Sequence, residues 1–213
     1  MKQKIARLAL IEAALTLLWV ILMILGEVIN PPVATIDGVP IFVQQINILQ
    51  IITYINASTL TVVAVLLYFA LYQYLRDSHP IMTALGLVCV PLYGIFNLFV
   101  YGSQITIVPL LIAQNAPNVA SWLQAWPQSP IALLNQVAYA LLGISSILFG
   151  IALMRQDLAV RMAAVFLILN GVACIVGLIG VLIGSPALSM GSLVGGLLFL
   201  VGVAMMGFQY RRG

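Results

Sequence analysis

Residues 159–184 read AVRMAAVFLILNGVACIVGLIGVLIG. After Arg161 this stretch carries no charged side chain. A helix needs about 20 apolar residues to cross the roughly 30 Å hydrocarbon core of a bilayer. The apolar residues run continuously instead of alternating, so the stretch reads as a membrane-crossing helix and not as a barrel strand. Every backbone polar group in hydrocarbon must be satisfied within the fold, and a helix does that alone.

The rest of the chain has the same texture. Of 213 residues, 63% are hydrophobic and 6% are charged, against about 25% charged in a soluble domain. So few charges cannot cover a water-facing surface, and most of the surface must face lipid. We place six spans, at Leu8–Val28, Ile51–Tyr74, Ile81–Tyr101, Ile131–Met154, Ala159–Gly184 and Ala187–Phe208, in one all-α, single-domain bundle covering residues 1–213. The cationic start resembles a signal peptide, but the apolar run is too long, contains Glu12 and has no small-residue cleavage site. It reads as a retained first span.

The basic residues fix the orientation. Lys2, Lys4 and Arg7 precede span one, Arg76 follows span two, Arg155 and Arg161 flank the turn between spans four and five, and Arg211 and Arg212 follow span six. The alternate connections contain no Lys or Arg. The positive-inside rule therefore predicts cytoplasmic termini at a plasma (inner) membrane. A net charge of +3 makes no basic face, so nucleic acid is not expected as a partner.

The third apolar run does not stop at Tyr101. Residues 81–114 would make a helix of about 50 Å, so span three is expected to run past Tyr101 in a kinked continuation to about residue 113, with Pro91 and Pro109 as places to kink or stop it. Beyond it, Trp122 and Trp126 stand four apart, which predicts an interfacial segment at the outer headgroups. Whether residues 102–130 are embedded or interfacial is left open.

Glycines crowd the last two spans. Gly180, Gly184, Gly191 and Gly195 fit the small-xxx-small pattern that lets helices approach closely. A tight hairpin of spans five and six is the expected use, and a homo-oligomer or subunit face is the other. Gly143 and Gly150 in span four also echo the seven-residue spacing of Gly195 and Gly202 in span six.

Enzyme chemistry finds little support. The one histidine, His79, sits beside Arg76, Asp77 and Pro80 in what reads as a span-ending turn. Cys89 and Cys174 lie inside apolar runs without metal-ligand spacing. No phosphate-binding, dinucleotide or nucleophile-elbow motif is present. No catalytic residue, metal site or cofactor is expected.

The polar groups within the spans are more informative. Asn56 falls about 8 Å below the outer edge of its span, Asn97 about 24 Å above the inner edge of its own, and Asn135 and Gln136 about 6–8 Å below the outer edge of theirs. Asn170 lies near the middle of span five, and Thr53, Ser58, Thr59, Tyr101 and Gln104 add polar groups nearby. They serve either as interhelical glue or as the lining of an outward-facing cavity for a small neutral or zwitterionic solute or a lipid headgroup. An outer half without an acid argues against a cation pathway.

Glu12 is the one acid inside a span, about 6–8 Å from its inner edge. It is expected either to pair with Arg7, Arg76, Arg155 or Arg161 or to titrate as a proton site. Glu27 and Asp37 are expected at the outer surface, solvated.

The basic start followed by ARLALIEAALTLLWVILMILGE, the span ending LLYFALYQYLR, and the segments ISSILFGIALMRQ and AVRMAAVFLILNGVACIVGLIG together resemble the uncharacterised bacterial six-span proteins of the DUF4386 type. That resemblance implies a prokaryotic six-helix integral membrane protein with no established activity. Three function classes follow. The first expectation is a non-enzymatic structural or accessory membrane subunit acting through partners in contact with membrane lipid. The second is a small-solute or lipid transporter, and the third a lipid-modifying enzyme.

Overall fold

A computed structural model describes residues 1–29, 35–36, 39–40, 48–124 and 129–212. The expectations placed on the Glu27 side chain, Asp37 and Trp126 lie outside what it describes. Six helices are long and apolar enough to cross a membrane. They are α1 (Lys2–Ile29), α2 (Ile48–Leu75), α3 (Pro80–Ala113), α4 (Pro130–Leu153), α5 (Leu158–Leu182) and, after the single turn α6 (Pro186–Ser189), α7 (Gly191–Arg212). The chain is an all-α, multi-pass membrane protein. A two-residue antiparallel ladder between α1 and α2 pairs β1 (Thr35–Ile36) with β2 (Val39–Pro40).

The helices begin where local chemistry starts them. Pro80, Pro130 and Pro186 occupy the first turns of α3, α4 and α6, where a missing N–H costs nothing. The Ser129 hydroxyl accepts the Ala132 N–H at 2.9 Å and so caps α4. At the end of α5, Gly184 adopts φ +69°, while Ser185 N–H bonds Gly180 O at 2.8 Å and Gly184 N–H bonds Val181 O at 3.2 Å. This is the double bond pattern of a glycine-terminated helix. Asn115, at φ 50°, ends α3 in the same way.

The third run continues past Tyr101 as expected, to Ala113. The α3 helix neither stops nor breaks at Pro91 or Pro109; it is continuous for 34 residues, about 51 Å. A proline removes one donor, and a packed membrane helix absorbs that loss. Within the segment expected at the interface, Val119–Trp122 forms a short 3₁₀ turn packed on α3. There Trp122 packs on Phe99 with ring centroids 6.4 Å apart, and Leu123 packs against Val108.

The helices form a closed ring. Each packs on its neighbours in the order α1, α2, α3, α4, α5, α7, and α7 returns to α1. Tyr74 of α2 and Tyr210 of α7 meet edge-on, with centroids 5.7 Å apart. The two termini therefore share one end of the bundle with the α4–α5 turn. All eight Lys and Arg side chains are exposed, and they belong to this end.

The α5 helix is gripped from both sides by glycines. A Cβ on Gly143 or Gly150 of α4 would stand 2.8 Å from Gly171 O or 2.7 Å from Ile168 Cγ1. On α7, a Cβ on Gly195 would stand 2.6 Å from Cys174 Sγ and one on Gly202 3.1 Å from Phe166 Cβ. The seven-residue echo thus has one structural use, two grooves that seat the same helix. Gly180 and Gly191 are also spent inside the chain, against Ser189 and Gly177. Gly184 is not a packing residue, because nothing lies within 4 Å of its would-be Cβ. It ends the helix.

Candidate functional site

The core is unevenly filled. Toward the termini, Tyr68 of α2 is stacked on Phe199 of α7 (6.4 Å) and meets Phe149 of α4 edge-on (5.3 Å). The Tyr68 hydroxyl is 2.6 Å from Ser146 Oγ, and Asn170 Nδ2 donates to the same oxygen at 2.8 Å. Four helices are thereby tied together at one level. Above this plug, in the half of the bundle away from the termini, the ring encloses a cavity of about 440 Å³. That volume lies within the range of small-molecule sites.

Each wall of the cavity brings one or two decisive side chains. Thr16 and Trp19 come from α1, Tyr93 from α3, and Asn135, Gln136 and Tyr139 from α4. Asn170 and Cys174 come from α5, and Ser192 and Phe199 from α7. None of the lining residues is Lys, Arg, His, Asp or Glu. Gln136 Oε1 accepts the Ser192 hydroxyl, joining α4 to α7. The Tyr139 hydroxyl is bonded to that of Tyr101. Asn135 is buried, and its Oδ1 has no hydrogen-bond partner. A free amide oxygen is an acceptor waiting for a donor.

The six amides expected from sequence therefore divide in two. Asn135, Gln136 and Asn170 face the cavity. Asn56, Asn97 and Gln104 do not; they hold the fold. Asn56 Nδ2 donates to Leu15 O at 3.0 Å and links α2 to α1, while Asn97 Nδ2 donates to Thr61 Oγ1 at 3.3 Å and links α3 to α2. Gln104 donates to Trp122 O (2.9 Å) and accepts Gln124 N–H (3.1 Å). Thr53, Ser58 and Thr59 turn their hydroxyls onto carbonyls of their own helix. Replacing Gln104 with leucine is expected to loosen residues 114–124. Their amide exchange should speed up by about tenfold for each 1.4 kcal/mol lost, with little change in melting temperature.

Glu12 is not paired as expected. The side chain is fully buried, and neither carboxylate oxygen has a hydrogen-bond partner. Arg7, Arg76, Arg155 and Arg161 are exposed, and the ion pair found among the described residues is Arg76 with Asp77, 3.6 Å apart. The reason is geometric. The α1 helix starts at Lys2, so Glu12 lies about 15 Å along it and faces the ring interior, where it comes within electrostatic reach of Tyr68, Tyr93 and Tyr139.

Sequence reasoning missed the aromatic lining. Trp19, Tyr93, Tyr139 and Phe199 look like ordinary apolar-span residues. The usable signal was the tyrosines: their common place is the headgroup belt, yet Tyr68, Tyr93 and Tyr139 stand mid-span.

His79 stands at the start of α3 in the Arg76–Pro80 turn without a side-chain capping bond, its Nδ1 3.0 Å from Ser78 Oγ. Cys89 and Cys174 are free thiols. Among the described residues no three His, Cys, Asp or Glu side chains gather closely enough to hold a metal ion. No family model, curated protein or solved structure matches the chain.

Proposed function

We propose that this protein is a non-enzymatic binder or carrier of a small, largely apolar molecule held between its six helices. The observation that carries the reading is the cavity of about 440 Å³ bounded by apolar and aromatic side chains, with Asn135, Gln136 and Ser192 as polar lining residues. That chemistry suits a lipid-like ligand with one hydrogen-bond donor. It favours the carrier reading over an accessory subunit, because the packing glycines are consumed within the chain. No nucleophile–base pair supports a lipid-modifying enzyme. The eight exposed basic residues at one end support cytoplasmic termini, and the resemblance to DUF4386-type proteins supports a bacterial inner membrane.

Gly196 provides the test. It lines the cavity, and a Cβ there would meet nothing within 4 Å. Gly196→Phe should fill the space and leave the fold intact. Native mass spectrometry of gently solubilised protein is expected to show a reproducible small adduct on the wild type and none on the variant. A wild type without an adduct, or a variant that keeps it, would overturn the proposal. Stoichiometric partner chains on an adduct-free protein would favour the accessory subunit.

A further inference from the structure

Glu12 is the strongest unexplained group in the molecule. It is a fully buried carboxyl with both oxygens unpartnered. An unpaired ion in hydrocarbon is expensive, and breaking a buried pair to leave one is costly as well. A carboxyl kept there needs a proton or a cation to neutralise it. The protein supplies no cation, since all eight basic side chains are exposed.

The surroundings say which cation fits. Tyr93 and Tyr139 are within electrostatic reach of Glu12, and both also line the cavity. With Trp19 and Phe199 they bring four aromatic rings from four helices to one space. Ring faces attract cations by about 0.5–2 kcal/mol each, more when water is excluded. Asn135, whose Oδ1 has no hydrogen-bond partner, lines the same space. A metal ion would find few oxygen ligands here. A protonated amine on an apolar body would find acceptor oxygens, aromatic rings and, one turn of α1 below Thr16, the Glu12 carboxyl. The sequence argument against cations assumed that the one acid lay at the inner edge, and the structure buries it one turn of α1 from Thr16 of the cavity wall.

We propose that the cavity takes lipophilic ammonium ions, and that Glu12 binds either a proton or, beside Tyr93 and Tyr139, the charge of that ligand. This rests on the carrier reading above and narrows its ligand class. In the exchange, an O–H bond at the Glu12 carboxyl breaks and the proton leaves to water; the ammonium then neutralises the carboxylate without a covalent bond. The titratable groups facing Glu12 are Tyr68 from α2, Tyr93 from α3 and Tyr139 from α4. Those of α7 are Tyr210, Arg211 and Arg212, at the end that carries the termini. Glu12 is thus the one acid at this level.

The test compares dibenzylammonium with dibenzyl ether, its neutral isostere, on the full chain in lipid nanodiscs by calorimetry. Wild type is expected to bind the ammonium about tenfold or more tightly than the ether, a margin of about 1.4 kcal/mol. Ammonium affinity should fall with acidification, by up to about tenfold per pH unit, and ether affinity should not move. Glu12→Gln should bind both probes alike and without pH dependence. Should that variant fail to fold, the wild-type ratio and its pH profile decide alone. Equal wild-type affinities for the two probes would overturn the ammonium assignment and leave the carrier reading standing. Binding of neither probe would defeat both.

Discussion

Gly171→Ala is expected to cost about 3 kcal/mol, the upper end of what overpacking does to a tight core. The added methyl would press on Gly143 O closer than van der Waals contact allows, and would lie 2.6 Å from Ile147 Cγ1. Backbone cannot rotate aside as a side chain can. The α4–α5 seam must therefore open, and with it the Asn170–Ser146 bond that crosses the same seam. Thermal unfolding in detergent checks this, with Gly196→Ala as the matched control. The control sits on open space and should melt with the wild type. Equal melting of both variants would mean that the helices slide apart at little cost.

Tyr68→Ala should be worse, at about 3–5 kcal/mol for loss of a large buried ring. Tyr68 is the plug between the cavity and the end of the bundle that carries the termini, packed between Phe149 and Phe199. Its loss also takes one partner from Ser146 Oγ. Tyr68→Phe separates the two contributions. It keeps the ring and removes the hydrogen bond, so it should lose only about 1 kcal/mol. Chemical unfolding of the three proteins side by side gives the ratio, and similar losses for both variants would put the hydroxyl above the ring in importance.

The spans were legible because hydrocarbon imposes a length and a composition. The expected Ile131–Met154 and the observed Pro130–Leu153 differ by one residue at each end, and the other helices start or stop within a few residues of expectation, except at the start of α1. The shared depth of the amides was legible too. Their rotation about the helix axis was not. Asn135 and Asn97 look alike in sequence, yet one faces the cavity and the other faces α2. Hydropathy in these helices is nearly uniform around the axis, so no polar stripe marks the inner face. Gly180 and Gly184 share a motif for the same reason and do different jobs. Glu12 was misjudged because its depth was counted from Leu8, whereas the helix begins two turns earlier in a charged segment that hydropathy discounts.

The ring order has a consequence for how the protein is made. Its closing seam joins the first span to the last, where Gly207 lies against Leu10 and α1 buries Ile5, Ala6 and Ala9. During synthesis α1 therefore enters the bilayer without its second neighbour. It waits until α7 emerges, with the side of Glu12 toward lipid or the insertion machinery. A ribosome stalled before Gly191 leaves an open crescent with an acid on its rim, which is a ready mark for membrane quality control.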